Sequence, residues 1–78
     1  MPTIWRERGF DFMIHSDDHE PAHVHAYKAG GVVQIYLADS SLKKVIDMKL
    51  SEVRLAKGIV DANRAFFISE WQKIHDAD

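Results

Sequence analysis

Ala22-His23-Val24-His25-Ala26-Tyr27-Lys28-Ala29-Gly30-Gly31-Val32-Val33-Gln34-Ile35-Tyr36-Leu37 is the stretch that decides the fold. Both halves alternate with a period of two. Ala22, Val24 and Ala26 share one face; His23, His25 and Tyr27 share the other. Beyond the glycine pair, Val33, Ile35 and Leu37 oppose Val32, Gln34 and Tyr36. Successive side chains of a strand point to opposite faces, so the pattern describes two half-buried strands. Gly30-Gly31 reads as a two-residue hairpin turn. That turn sets Ala29 opposite Val32, Tyr27 opposite Gln34 and His25 opposite Tyr36. On the apolar side Ala26 meets Ile35 and Val24 meets Leu37. A one-residue slip would mix the two sets.

Working upstream, Phe10, Phe12 and Ile14 alternate with Asp11, Met13 and His15, which predicts a further strand over 10–15. Ser16 to Pro21 is polar and reads as a loop. Pairing Ile14 with Val24 and Phe12 with Ala26 places His15 opposite His23 and Met13 opposite His25. Thr3 to Glu7 reads as a short opening strand, with Arg8-Gly9 as the turn. Downstream, Asp39-Ser40-Ser41 is a turn, and Leu42 to Met48 is either a further strand or an irregular crossing. Ser51 is the expected N-cap of a helix, with Glu52 in its first turn. Val53, Ala56, Val60, Phe67, Trp71 and Ile74 recur at helical spacing, and Leu55, Ile59, Ala62 and Phe66 widen that stripe. Gly58 marks the place for a kink. The fold expected is α+β: a small antiparallel sheet of three to four strands, one face covered by a C-terminal helix, in a single domain over 1–78.

At 78 residues the chain lies near the lower limit for one self-sufficient core, but an apolar fraction of 46% makes a core feasible. Cysteine is absent, which excludes a disulfide framework and thiolate metal ligation. No stretch is long and apolar enough to span a membrane, and the opening residues lack the apolar run of a signal peptide, so a cytoplasmic location is expected. A net charge of -2 argues against a broad nucleic-acid surface, though Lys43-Lys44 or the Lys28, Arg54, Lys57 set would supply a local basic patch.

The His and Tyr face admits three chemistries. As a metal site, His19, His23 and His25 offer imidazoles, with His15 as an alternative third ligand and Asp17, Asp18 or Glu20 as a carboxylate; zinc or another divalent transition metal would suit. As a metal-free acid–base site, His23 and His25 serve as base and acid on a ribose 2′-hydroxyl, with His15, Tyr27 and Tyr36 in support and Lys28 neutralising phosphate. As a binding surface without chemistry, the same face or an open sheet edge takes a partner protein or a second copy of the chain. Trp71 reads as core, Asn63 as a buried cap, Asp17-Asp18 as solvated, and His75 as a residue favoured by the helix dipole. Trp5 reads as edge-strand cover for the helix end or as an interface residue.

The opening Met1-Pro2-Thr3-Ile4, the Gly9-Phe10 strand start and His19-Glu20-Pro21-Ala22-His23-Val24-His25 resemble a small bacterial family of unknown function, DUF4160. Asn63 and Trp71 on a terminal helix fit the same pattern. The His-x-Pro-x-His-x-His run is its most specific part, and Ala22 stands where family members more usually carry a second proline. The resemblance implies gene pairs of toxin–antitoxin type, and hence a cognate small partner protein. The resulting expectation is a toxin-like, His-dependent ribonuclease acting on RNA without a cofactor. The alternatives are a His-cluster metalloprotein and a non-catalytic interaction module, antitoxin-like or dimeric.

Overall fold

A computed structural model describes residues 3–76, so the Met1-Pro2 opening of the resemblance lies outside the described residues. The chain forms β1 (Trp5–Glu7), β2 (Phe10–Met13), β3 (His23–Lys28), β4 (Gly31–Tyr36), β5 (Leu42–Ile46), α1 (Leu50–Ala62) and α2 (Arg64–His75). The strands run as one antiparallel meander in the order β1-β2-β3-β4-β5. The α+β class expected from sequence is present, with five strands rather than three or four. The ambiguous stretch Leu42 to Met48 supplies the extra one. All five residues of β5 are exposed, so no apolar–polar alternation marks it as a strand.

The two-residue turn of the central hairpin falls on Ala29-Gly30, not on Gly30-Gly31. Both residues have positive φ, 50° and 83°, the backbone of a type I′ turn. Lys28 therefore faces Gly31, and the register moves by two: His23 pairs with Tyr36, Val24 with Ile35 and His25 with Gln34. A shift of two preserves parity, so both faces keep the residues expected on them. Gly31 is glycine for another reason: a Cβ there would sit 2.2 Å from the backbone oxygen of Asp47, where the chain leaves β5. The upstream register is the expected one, with Phe12 on Ala26 and Met13 on His25. β2 ends at Met13, which releases His15 from the ladder.

Phe10, Phe12, Ile14, Val24, Ala26, Val33, Ile35 and Leu37 form the buried side of the sheet. Val53, Ala56, Ile59, Val60, Phe67 and Trp71 cover it. The Phe12 and Phe67 rings lie 5.3 Å apart across the two layers. The helix begins one residue before Ser51, with Lys49 at the N-cap position. It runs through Gly58 without interruption and breaks at Asn63 instead. The Asn63 side-chain amide donates to the Ile59 carbonyl at 2.8 Å, and its backbone N–H reaches the carbonyls of Ile59 and Val60. A side chain that competes for backbone groups in this way ends α1 and redirects α2. Trp5, on the edge strand, packs its ring 5.1 Å from Phe66 of α2.

Candidate functional site

The polar loop between β2 and β3 folds back over the sheet. Asp18 pins it: its backbone N–H donates to the His15 carbonyl, and its carboxylate accepts from the His15 backbone N–H, both at 3.1 Å. The carboxylate then points onto the His face. His25 Nε2 lies 3.1 Å from Oδ2 and 3.4 Å from Oδ1, and His23 Nε2 lies 3.6 Å from Oδ1. One ligating atom from each of Asp18, His23 and His25 lies within 4.8 Å of the others. Both imidazoles are nearly inaccessible, His23 at 3% and His25 at 8% exposure.

Neighbouring groups hold each ring. His23 Nδ1 donates to the Pro21 carbonyl at 2.9 Å, so in the neutral ring the lone pair is on Nε2 and faces the Asp18 carboxylate. That tautomer leaves the Nε2 lone pair available to a cation placed between it and the carboxylate. His15 packs edge-on to His25 with centroids 4.4 Å apart, and its Nε2 shares a hydrogen bond with the Tyr27 hydroxyl at 3.1 Å. Tyr27 stacks parallel to His25. Burial pushes the His25 imidazole below the usual histidine value of 6.5; Asp18 opposes that shift, while His15 and His23 add to it. Burial also raises the Tyr27 phenol, and Asp18 reinforces it.

The end of α2 braces the loop from the other side. Trp71 lies 5.5 Å from His23 and donates its indole N–H to Glu20 Oε2 at 3.2 Å. His75 stacks on Trp71 at 3.8 Å. Its Nδ1 faces the Trp71 carbonyl at 2.9 Å and its Nε2 faces the Asp18 carbonyl at 3.1 Å.

A cleft of about 410 Å³ opens over the trio, rimmed by Asp17, His19 and Glu20 with Gln34 and Lys43 on its far side. Of the residues singled out from sequence, His23 and His25 are at the centre, and His15 and Tyr27 stand directly behind His25. Tyr36 faces His23 across the strands rather than His25, with ring centroids 6.3 Å apart. His19 is exposed at the rim and is not one of the three converging groups. Lys28 is engaged elsewhere, by Glu52 at 2.7 Å. Asp18 and His75 carry more than a solvated loop and a helix end would. The i, i+4 spacing of Trp71 and His75 was the available signal for His75; nothing in sequence separates Asp18 from Asp17 or Glu20.

A family model described as a domain of unknown function, DUF4160, matches residues 9–72, which include the whole site except His75. No curated protein and no solved structure shows a significant match to the chain.

Proposed function

The chain belongs to the DUF4160 family, and we propose that its His face is a divalent transition-metal centre held by Asp18, His23 and His25. The observation that carries this reading is the convergence of the three donors. Ligands about 2.1 Å from one ion stand about 3.4 Å apart in a tetrahedral site and about 3.0 Å apart in an octahedral one. Asp18 Oδ1 lies 3.4 Å from His25 Nε2 and 3.6 Å from His23 Nε2. Two imidazoles and one carboxylate suit zinc or ferrous iron, and the cleft leaves the remaining positions open to substrate or water. Such an ion supplies Lewis acidity and an activated water. The chain's own groups orient the ligands: the Pro21 carbonyl selects the His23 tautomer, and the His15 backbone N–H holds the carboxylate.

Charge around the cleft supports the same reading. Asp17, Asp18 and Glu20 surround it against the single ammonium of Lys43. A phosphodiester entering alone meets three carboxylates; a bound divalent cation reverses the local sign.

A second reading, the metal-free ribonuclease, has one observation in its favour. A His25 ring held neutral and hydrogen-bonded to Asp18 has the form of a general base. His23 would then be the acid, with His15, Tyr27 and Tyr36 positioning RNA. In this second reading the chain acts as the toxin-like member of a toxin–antitoxin-type pair in the cytoplasm, its cognate protein controlling the site. The test is a titration of tag-free apoprotein with Co(II), followed by visible absorption. A saturable ligand-field spectrum lost in His23→Ala and His25→Ala supports the metal centre. RNA cleavage that survives a strong chelator, with no such spectrum, supports the second reading instead.

A further inference from the structure

β5 ends the sheet beyond β4, so one row of its backbone N–H and C=O groups faces outward without a ladder partner among the described residues. Among the described residues, all but one of the exposed large apolar side chains gather there: Leu42, Val45 and Ile46 lie on the strand, and Leu50 follows it. The other one, Phe66, packs against Trp5. Gln34 pairs with Lys44 and Ile35 with Leu42, which leaves Lys43 as the extra residue of a bulge. Lys43 lines the His cleft. Neither Lys43 nor Lys44 joins an ion pair among the described residues.

We infer that β5 is the docking edge for an extended, acidic segment of another protein, which adds a sixth strand beside the cleft. The outward backbone row supplies hydrogen bonds, Leu42, Val45 and Ile46 supply apolar contact, and Lys43 and Lys44 select carboxylates. Charge argues against a second copy of the chain. Antiparallel self-pairing about the middle of β5 sets Lys44 on Lys44 or on Lys43, and like charges directly opposite destabilise a sheet. A register centred on Val45 would match Lys43 with Asp47, but it requires Asp47 in extended backbone. Asp47 has φ 50°, which turns the chain out of the strand. The two lysines thus guard the edge against self-association and specify a partner of opposite sign. The inference holds whether or not the cleft binds a metal.

The experiment titrates two blocked hexapeptides, Glu-Val-Glu-Ile-Glu-Val and its Lys counterpart, into the isotope-labelled chain, with amide hydrogen exchange read residue by residue. The acidic peptide is expected to bind and slow exchange along residues 42–46, with the basic one at least about tenfold weaker. The exposed double substitution Lys43→Glu, Lys44→Glu is expected to invert that preference, and added salt to weaken it. Equal binding of both peptides, binding of neither, or protection confined to other strands overturns the inference. A free chain that is dimeric in dilute solution with β5 amides already protected also overturns it, and assigns the edge to a second copy.

Discussion

Asp18→Asn separates the structural and ligand roles of the central carboxylate. Asparagine keeps one side-chain oxygen, so the bond from the His15 backbone N–H survives. What is lost is the charge that strengthens the 3.1 Å bond from His25. The Asp18 side chain is only 14% exposed, so solvent screens that charge weakly. A hydrogen bond to a charged group contributes about 1.5–3 kcal/mol against about 1 for a neutral pair, so the apoprotein should lose about 1–2 kcal/mol. In a domain of this size that lowers Tm by roughly 5–15 °C. The metal response should change more. At a concentration of 100 times Kd, zinc adds about 2.7 kcal/mol to the parent, a rise of roughly 10–20 °C. Without its anionic ligand the variant should show less than about a third of that rise at the same concentration. Thermal melts of both proteins, in chelator and in zinc, measure all four values. A variant that gains as much from zinc as the parent would refute the assignment of Asp18 as a ligand.

Other expectations follow from single contacts. At the central turn, Ala29→Asn should stabilise by up to about 1 kcal/mol, because Asn tolerates the positive φ that Ala29 adopts, whereas Gly31→Ala should unfold the β4–β5 edge against the Asp47 carbonyl; denaturant midpoints of the two variants should move in opposite directions. His75→Ala removes the contacts to the Trp71 and Asp18 carbonyls, and metal affinity should fall about tenfold through loosening of the Asp18 loop, measured by competition with a chromophoric chelator. For pH, the His25 value is lower in the folded chain than in the unfolded one, so the folded state binds fewer protons between the two values. The stability this ring contributes is complete above about 6.5 and is lost as pH falls through the folded value. In chelator the parent should therefore lose more stability than His25→Gln between pH 7.5 and pH 5, and equal losses would contradict the shift.

The sheet was legible because period-two alternation survives errors of turn placement. Moving the hairpin turn from Gly30-Gly31 to Ala29-Gly30 changed every cross-strand partner, yet left Val24 and Ala26 in the core and His23 and His25 opposite them. Two glycines in a row invite a turn, and nothing local reveals that the second is demanded by Asp47, sixteen positions away in sequence. β5 was ambiguous because a wholly exposed edge strand carries no burial pattern. The helix break was misplaced because Gly58 has the weaker intrinsic propensity, while Asn63 has a specific acceptor in Ile59. In the site, strand spacing showed the two imidazoles. The third group depends on how a six-residue loop folds back, and the brace depends on where a helix ends more than fifty residues later. Both are tertiary facts, set by the Asp18–His15 exchange and the His75–Asp18 contact.

The most direct test is the metal content of tag-free protein after equilibrium dialysis against zinc and, anaerobically, against ferrous iron. A metal centre at Asp18, His23 and His25 requires one divalent ion per chain, retained by the parent and absent from the His23→Ala, His25→Ala double variant, with both proteins folded. A folded parent that retains no more metal than the double variant at any concentration offered would contradict it.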